Sequence, residues 1–591
     1  MTEAVVSALD LPDDAWRNVA LHLTGRDMAS LALTCRALGS ALYHHKHNIR
    51  SSSSSSSSSD HHDDGEDFYK LLLERDRGHP SSTTTTATTT TSGSSFYKKQ
   101  FILQSLASEL RACKWFPIQR SSPALLHAFP SSRECHVACL LGEPGGARRK
   151  ICITGGFVND PTVYIYQPPS AAASAAAGTA GAWGCHAINP TGALRFVYGS
   201  SLTALDANRA IQFGGFYSGG YTNETNDISI LTILETNKNN DQEHPPFKAS
   251  WSSVMSAENS HVCPERAFHT ATLIHGRYLV VLGGMITDGS IMGEAILDTE
   301  TMSWLDVSIV NPAGFTGPSG RHGCSVVLDQ QRNRLVMFGG ASGSDLLRSG
   351  SNTSEVWELK MGENWRTDLE QSFPWKWEMI FSDREDPTLP NPCPLSAAEA
   401  LCIGRCHNGI KTGRDTVLFT FGSAHPSTNG LLGYDLSNDT FIRPRPLGGI
   451  PRPQFCGAAV YLEESGYVLT HGGWTGGEGG HEISDMNVLD VAPALGREFQ
   501  GLAVDTSWNS RPEVTEEDVR DAVDARAEMM QQRAYMAQLL QQQPNIFNLS
   551  ANNHELRGQI SRALALAMIN GDVRVGFDDD DVEFAEEEDD L

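Results

Sequence analysis

The feature that most constrains this chain is a short apolar strand pattern that ends at glycine and recurs six times. The copies end at Gly155-Gly156, Gly214-Gly215, Gly283-Gly284, Gly339-Gly340, Gly422-Ser423 and Gly472-Gly473. They are about 50 to about 80 residues apart, the period of four-stranded propeller blades with variable loops. One blade cannot bury both faces of its sheet, so blades stack in a ring. The sequence therefore predicts an all-β propeller, with six blades favoured.

Two further signals accompany the glycine pairs. An arginine lies about twenty residues upstream of each pair and is interpreted as beginning another strand, at Arg133, Arg195, Arg266, Arg321, Arg405 and Arg452. A tryptophan often follows the pair, as at Trp183, Trp251, Trp304 and Trp377. This combination resembles kelch repeats, whose Arg-x-x-His/Tyr is kept here as Arg133/His136, Arg195/Tyr198 and Arg266/His269. The resemblance implies a kelch-like propeller over residues 114–508.

The residues leave two features of this ring open. A degenerate seventh blade is compatible with the spacing, because six is a count of glycine signals. The strand that closes the ring is expected either at Trp115 or in the stretch Phe499–Trp508.

A helical segment precedes the repeats, at residues 9–43. Leu11 and Pro12 are followed by two aspartates, which predicts a helix start, since proline presets φ and acidic side chains favour the positive end of the helix dipole. This segment resembles an F-box, a module of three short helices that docks on the Skp-type adaptor of a cullin–RING ubiquitin ligase. The resemblance implies docking positions at Leu11, Pro12, Val19, Leu23, Leu31, Leu33, Cys35 and Arg36. Leu38 departs from the family, which has a large aromatic residue there.

The remaining segments are less regular. Residues 44–113 read as a linker that contains the polar runs Ser51–Ser59 and Thr83–Thr91, too poor in apolar residues to fold. A helix is predicted over Phe96–Lys114 at the end of this linker. Residues 512–570 predict a helical extension, and residues 571–591 an acidic tail kept disordered by self-repulsion.

Composition excludes several classes of partner. Asp and Glu number 71 against 45 Lys and Arg, a formal net charge of −26, so nucleic acid and anionic membranes are disfavoured partners. No apolar run is long enough to span a bilayer, and the N-terminus does not read as a signal peptide. The 12 cysteines have no disulfide-framework spacing. A cytoplasmic or nuclear protein with reduced thiols is expected.

Catalytic and metal motifs are lacking in the sequence. There is no nucleophile elbow, zinc-protease helix or phosphate loop, and repeated histidines such as His136 and His269 are interpreted as structural. The grouping of Cys402, Cys406 and His407 does not have zinc-knuckle spacing. We therefore expect no enzyme activity, no cofactor and no metal.

The residues and the resemblance together predict a binding protein. Loops just after the glycine pairs are the expected target-binding positions, with large side chains at Phe157, Tyr217, Tyr221, Met285 and Trp474. The expected function is that of the substrate-recognition subunit of an SCF-type ubiquitin ligase, which holds an unidentified target protein on the propeller. The alternative is a kelch-type scaffold without ligase coupling.

Overall fold

The computed structural model describes residues 103–520, with gaps that are longest at 169–182, 237–245, 343–351, 362–374, 384–391 and 506–514. The predicted F-box-like module, the acidic tail and most of the linker and helical extension lie outside the described residues. Within the described part of the chain, no helix is long and apolar enough to cross a membrane.

The described strands form six sheets arranged as blades, one for each predicted repeat. Strand β1 (Ala112–Pro117) comes first in the chain, and blades 1 to 3 follow. Their main strands, from the innermost to the outermost, are β2 (Val137–Leu141), β3 (Lys150–Thr154), β4 (Val163–Gln167) and β5 (Gly184–Ile188) in blade 1; β8 (Ser201–Ala204), β9 (Arg209–Phe213), β11 (Ile228–Glu235) and β12 (Phe247–Val254) in blade 2; and β13 (Thr270–Ile274), β14 (Tyr278–Leu282), β17 (Ala295–Asp298) and β18 (Ser303–Leu305) in blade 3.

Blades 4 to 6 repeat this order. Their main strands are β20 (Ser325–Asp329), β21 (Arg334–Phe338), β22 (Val356–Lys360) and β23 (Trp375–Phe381) in blade 4; β24 (Asn408–Lys411), β25 (Thr416–Thr420), β26 (Leu431–Asp435) and β27 (Thr440–Ile442) in blade 5; and β29 (Ala458–Leu462), β30 (Tyr467–Trp474), β31 (Glu482–Asp490) and β1 in blade 6. Each predicted strand that ends at glycine is the second strand of its blade, which confirms those predictions.

Several short elements lie at the edges of the blades and in the loops between their strands. Parallel edge strands β6 (Thr191–Gly192), β19 (Ile309–Val310) and β28 (Arg445–Gly448) extend blades 2, 4 and 6. Two small ribbons pair β7 (Val197–Tyr198) with β10 (Phe216–Tyr217), and β15 (Met285–Ile286) with β16 (Gly289–Ser290). Helix α1 (Ala397–Ala400) leads into a 3₁₀ turn at Leu401–Ile403, and a second such turn spans Pro493–Leu495. These elements leave the six-bladed plan unchanged.

The ring is held together by apolar packing between neighbouring blades. The innermost strands contact one another in the closed cycle β2, β8, β13, β20, β24, β29 and back to β2. Between each pair of neighbours lies a buried cluster; Phe213 of blade 2 and Trp304 of blade 3, for example, pack edge to face at 5.1 Å. Because both faces of every second strand are covered, these strands are nearly continuous apolar runs.

Strand β1 closes the ring. It pairs antiparallel with β31, with Trp115 opposite Leu489, so the beginning and the end of the propeller share one sheet. The prediction of a closing strand at Trp115 is therefore confirmed. The rival stretch packs alongside instead: the Phe499 ring stacks on Phe116 at 5.3 Å, and Val504 forms an isolated bridge with Ile118. The helix predicted over Phe96–Lys114 was too long, because its last residues belong to β1.

The repeated arginines that the structure describes do not begin strands, contrary to the expectation from the sequence, and Arg195 lies outside the described residues. Arg133, Arg266 and Arg321 lie four residues before their innermost strands and are buried. Their guanidinium groups donate to the carbonyl of the first paired glycine in the same blade, as Arg133 Nη1 does to Gly155 at 3.1 Å. Arg452 instead pairs with Asp485 at 2.8 Å. The arginines therefore fasten loops rather than start strands.

Candidate functional site

The two faces of the propeller differ in their loops. Within a blade, the first and second strands are joined by short connections such as 275–277, 330–333, 412–415 and 463–466. The same face carries the connections between third and fourth strands, two of which, 168–183 and 361–374, are long. The opposite face carries the connections between second and third strands and all of those between successive blades, for example 214–227 and 382–407. We call this the long-loop face. Long connections on a rigid scaffold are the usual place for recognition.

Ion pairs between buried arginines and partly buried carboxylates fix the roots of these loops. Arg133 Nη2 lies 2.6 Å from the Asp160 carboxylate, and Arg321 Nη2 lies 2.6 Å from that of Glu355. Glu355 also accepts a 2.8 Å hydrogen bond from the Trp357 indole. Such a pair keeps its loop in one position, because breaking it would leave the buried arginine charge without a partner in a low-dielectric site.

A closed ring of backbone hydrogen bonds surrounds the channel on the long-loop face. Six residues, each two positions before an innermost strand, donate N–H to the carbonyl of the equivalent residue in the preceding blade: Cys135, Gly199, Phe268, Gly323, Cys406 and Cys456. The donor–acceptor distances run from 2.7 to 3.2 Å. All six residues have φ between 51° and 64°. We call this set the channel ring.

Histidines next to the channel ring are buried and neutral. Burial lowers the pKa of His269 to about 3 and that of His407 to about 4. His407 Nδ1 lies 2.6 Å from the Gly404 carbonyl, so Nδ1 carries the proton and Nε2 accepts from the Ser325 hydroxyl at 2.7 Å. These contacts make the repeated histidines structural parts of the ring.

The predicted target-binding side chains lie on the long-loop face but differ in exposure. Phe157 is 40% exposed and packs edge-on against Tyr198 at 5.1 Å. Tyr217 is half-buried and donates to Asp227, and Trp474 is half-buried. Met285 is only 4% exposed and belongs to a cluster around the channel ring. Among the described candidates, Phe157 is therefore the one with the side chain most available to a partner.

Other predicted positions lie outside the described residues. They are Tyr221 of the target-binding set and every predicted adaptor-binding position, namely Leu11, Pro12, Val19, Leu23, Leu31, Leu33, Cys35 and Arg36. Their roles stay predictions.

Sequence reasoning missed a group of thiols in the channel ring. One ligand atom from each of Glu134, Cys135 and Cys456 lies within 4.8 Å of the other two, and the thiols of Cys406 and Cys456 are hydrogen-bonded. The hydrogen bond with Cys456 lowers the pKa of Cys135, but burial together with the nearby Glu134, Cys406 and Glu482 raises it to about 12. Burial and the nearby Glu482 raise the pKa of Glu134 to about 7. The available signal was the cysteine two residues before three of the innermost strands.

The fold and this ring define the class as a six-bladed β-propeller with a closed hydrogen-bond ring around its channel. No protein-family profile matches the chain. The chain is 27% identical to Adagio protein 3 of Arabidopsis thaliana over 212 residues, which cover 35% of this chain and 29% of that protein. It is 28% identical to putative adagio-like protein 2 of Oryza sativa subsp. japonica over 175 residues, 29% of this chain and 24% of that protein. Each match thus spans less than a third of the relative.

Among solved structures, a chain in "Cryo-EM structure of RAG in complex with one melted RSS and one unmelted RSS" superposes with a TM-score of 0.42. That match has 12% sequence identity and covers 64% of this chain and 99% of the other. The likeness is too low to carry an inference.

Proposed function

We propose that this chain is the substrate-recognition subunit of an SCF-type cullin–RING ubiquitin ligase. In this proposal the F-box-like segment docks on the Skp-type adaptor, and the long-loop face of the propeller holds the target protein. The observation that carries the proposal is the combination of that segment with a closed six-bladed ring downstream of it. The chain would do no covalent chemistry itself and would act in the cytoplasm or nucleus.

The mechanism would be proximity. Holding a target near a charged ubiquitin carrier raises the effective concentration of its lysines, and a stiff connection makes that concentration reproducible. The described residues before β1 support such stiffness, because Ala107 and Leu110 are fully buried in the cluster between blades 5 and 6. The described residues just before β1 are thus packed on the ring.

A pull-down with the Skp-type adaptor tests the proposal, using the full chain and a Leu11→Ala/Pro12→Ala variant. The wild type should bind the adaptor, and the double variant should bind about tenfold more weakly or worse, because it loses two apolar contacts. A Phe157→Ala variant is the matched control and should bind the adaptor normally.

The same variants distinguish the proposed ligase subunit from the alternative, a scaffold without ligase coupling. If the wild-type chain does not bind the adaptor, yet captures a cellular protein that Phe157→Ala loses, the scaffold is correct. Leu234→Ala serves as the control for this arm, because Leu234 is 54% exposed near the end of β11, on the opposite face.

A further inference from the structure

The thiols of the channel ring stand at positions where the backbone favours glycine. Cys135, Cys406 and Cys456 have φ of 54°, 51° and 56°, a conformation that costs an ordinary side chain free energy. Gly199 and Gly323 occupy equivalent positions with φ of 64° and 60° and make the same ring hydrogen bonds. Glycine therefore satisfies the backbone at these positions, and cysteine adds a thiol at an energetic cost.

The ring directs these side chains toward one another. Cys135 donates its N–H to the Cys456 carbonyl at 2.8 Å, and Cys456 donates to that of Cys406 at 3.2 Å. The Cys456 thiol is hydrogen-bonded to both other thiols. Three sulfur atoms from blades 1, 5 and 6 are thus gathered by backbone bonds, without help from flexible loops.

A carboxylate completes the group. Glu134 supplies an oxygen within 4.8 Å of the Cys135 and Cys456 sulfurs. Among the described residues, no basic side chain forms a salt bridge with Glu134, and the like-charged Glu482 helps to raise the pKa of Glu134. The nearby Arg133 is already paired with Asp160 at 2.6 Å. Within the described part of the chain, this carboxylate therefore lacks a positive counter-charge.

We propose that Cys135, Cys406, Cys456 and Glu134 form a binding site for a thiophilic divalent cation, best matched by Zn²⁺. Three thiolates and one carboxylate oxygen are a donor set that suits tetrahedral zinc, with Zn–S of about 2.3 Å and Zn–O of about 2.0–2.2 Å. For Glu134, Cys135 and Cys456, the 4.8 Å limit on the atom separations requires only a small contraction to reach such geometry. Cys406 joins them through the hydrogen bond between its thiol and that of Cys456. Binding displaces the three thiol protons to solvent, because a coordinated thiol is deprotonated.

An entry path exists. The three cysteines line a cavity of about 140 Å³ at the channel mouth, together with residues such as Phe268 and Gly323. That volume is enough for a hydrated ion to approach and shed its water. Sequence spacing gave no sign of the site, because Cys135 and Cys456 stand at opposite ends of the propeller sequence and meet only when the ring closes.

Metal binding at this site would stabilise the part of the ring where the first and last blades meet. Its ligands come from blades 5, 6 and 1, and blade 6 is the one completed by β1. Since a metal that binds only the folded state stabilises it by mass action, zinc should raise the thermal midpoint of the ring.

The test uses the purified full chain, stripped of metal and kept under a non-thiol reductant. The affinity for Zn²⁺ is measured by competition with a chromophoric chelator, and Co²⁺ is the spectroscopic probe. The key variants are Cys135→Gly and Cys456→Gly, which remove a ligand while keeping a residue that tolerates the ring backbone. Glu134→Gln removes the oxygen donor, and Cys393→Ser, a half-buried thiol outside the site, is the control.

The wild type and the control should bind about one Zn²⁺ per chain and show a sulfur-to-cobalt charge-transfer band. Each glycine variant should bind about 100-fold more weakly or worse and lose intensity in that band, while its metal-free thermal midpoint stays near that of the wild type. Glu134→Gln should weaken binding and keep the band. The proposal is overturned if the wild type shows no charge-transfer band, or if both glycine variants bind Zn²⁺ as the wild type does.

Discussion

Gly339 is a residue that the ring cannot exchange. It follows β21 with φ of 54°, and a Cβ atom there would overlap the carbonyl oxygen of Ile403. The next residue, Gly340, donates its N–H to that same carbonyl at 3.0 Å. The backbones of blades 4 and 5 therefore touch at a point where no side chain fits.

Gly339→Ala should lower the free energy of unfolding by about 3 kcal/mol or more, because it adds a steric clash to the cost of a positive φ. Gly276→Ala is the matched control. Gly276 has φ of 69°, but a Cβ atom there would meet no other atom within 4 Å, so only the backbone cost of about 1–2 kcal/mol applies. Chemical denaturation of both variants measures the difference. Equal losses would show that the contact with Ile403 is unimportant.

The buried histidines predict how stability depends on pH. The pKa values of His269, His322 and His471 are lowered by burial to about 3, and that of His407 to about 4. Below an unfolded pKa of about 6.5 the unfolded chain therefore binds more protons than the folded one, so stability falls as pH falls toward 4. Glu134, with a pKa of about 7, and Glu482, whose pKa burial also raises, act in the opposite direction but are fewer than the histidines.

At pH 5.5 each of these histidines should cost about 1.4 kcal/mol of stability relative to pH 7.5, since one pH unit below the unfolded pKa corresponds to one such increment. Thermal midpoints measured at pH 7.5, 6.5 and 5.5 should fall in that order. A His407→Gln variant should show a shallower fall. A midpoint that is flat or rises on acidification would contradict the neutral, buried assignment.

At the scale of the element, β1 decides whether the ring closes. Trp115 is 1% exposed and packs near Phe421 of blade 5, with ring centroids 5.7 Å apart. The strand pairs on one side with β31 and on the other with β28. A strand from the beginning of the propeller thus completes the blade built from its end.

Trp115→Ala should lower the free energy of unfolding by about 3–5 kcal/mol, the range for removing a large aromatic side chain from a core. Lys114→Ala, on the exposed side of the same strand, should change it by about 0.5 kcal/mol or less. Denaturant unfolding followed by far-ultraviolet circular dichroism, which does not depend on tryptophan emission, compares them. If the two variants lost equal stability, β1 would not be part of the closing seam.

The sequence predicted elements better than it predicted contacts. The second strands were readable because both of their faces are buried and a glycine ends them, as in Leu335 to Gly340. The position of the arginines was wrong, because an apolar run after Arg133 does not reveal that the side chain turns back to Gly155. The cluster of three thiols in the channel ring could not be predicted, since it depends on the register of three blades that are separated in sequence. The end of the helix before β1 was missed because the apolar residues run on without a break signal from Leu110 to Cys113 and Trp115 of β1.

At the scale of the whole molecule, we expect a docking segment to be joined to a rigid recognition surface. The propeller offers one face with long loops, whose roots are fixed by ion pairs such as Arg321 with Glu355. Phe157 gives that face an exposed aromatic side chain of the kind that anchors protein partners. The overall charge of −26 favours a target with a basic surface, because complementary charge speeds association.

The most direct measurement is reconstitution of the full chain with the Skp-type adaptor and a cullin–RING core, followed by size-exclusion chromatography with light scattering. We predict that the wild type elutes with the core only when the adaptor is present, and that Leu11→Ala/Pro12→Ala elutes apart from it. Phe157→Ala should assemble as the wild type does. A wild-type chain that stays separate from the adaptor and the core at micromolar concentration would contradict the proposed role as a ligase subunit.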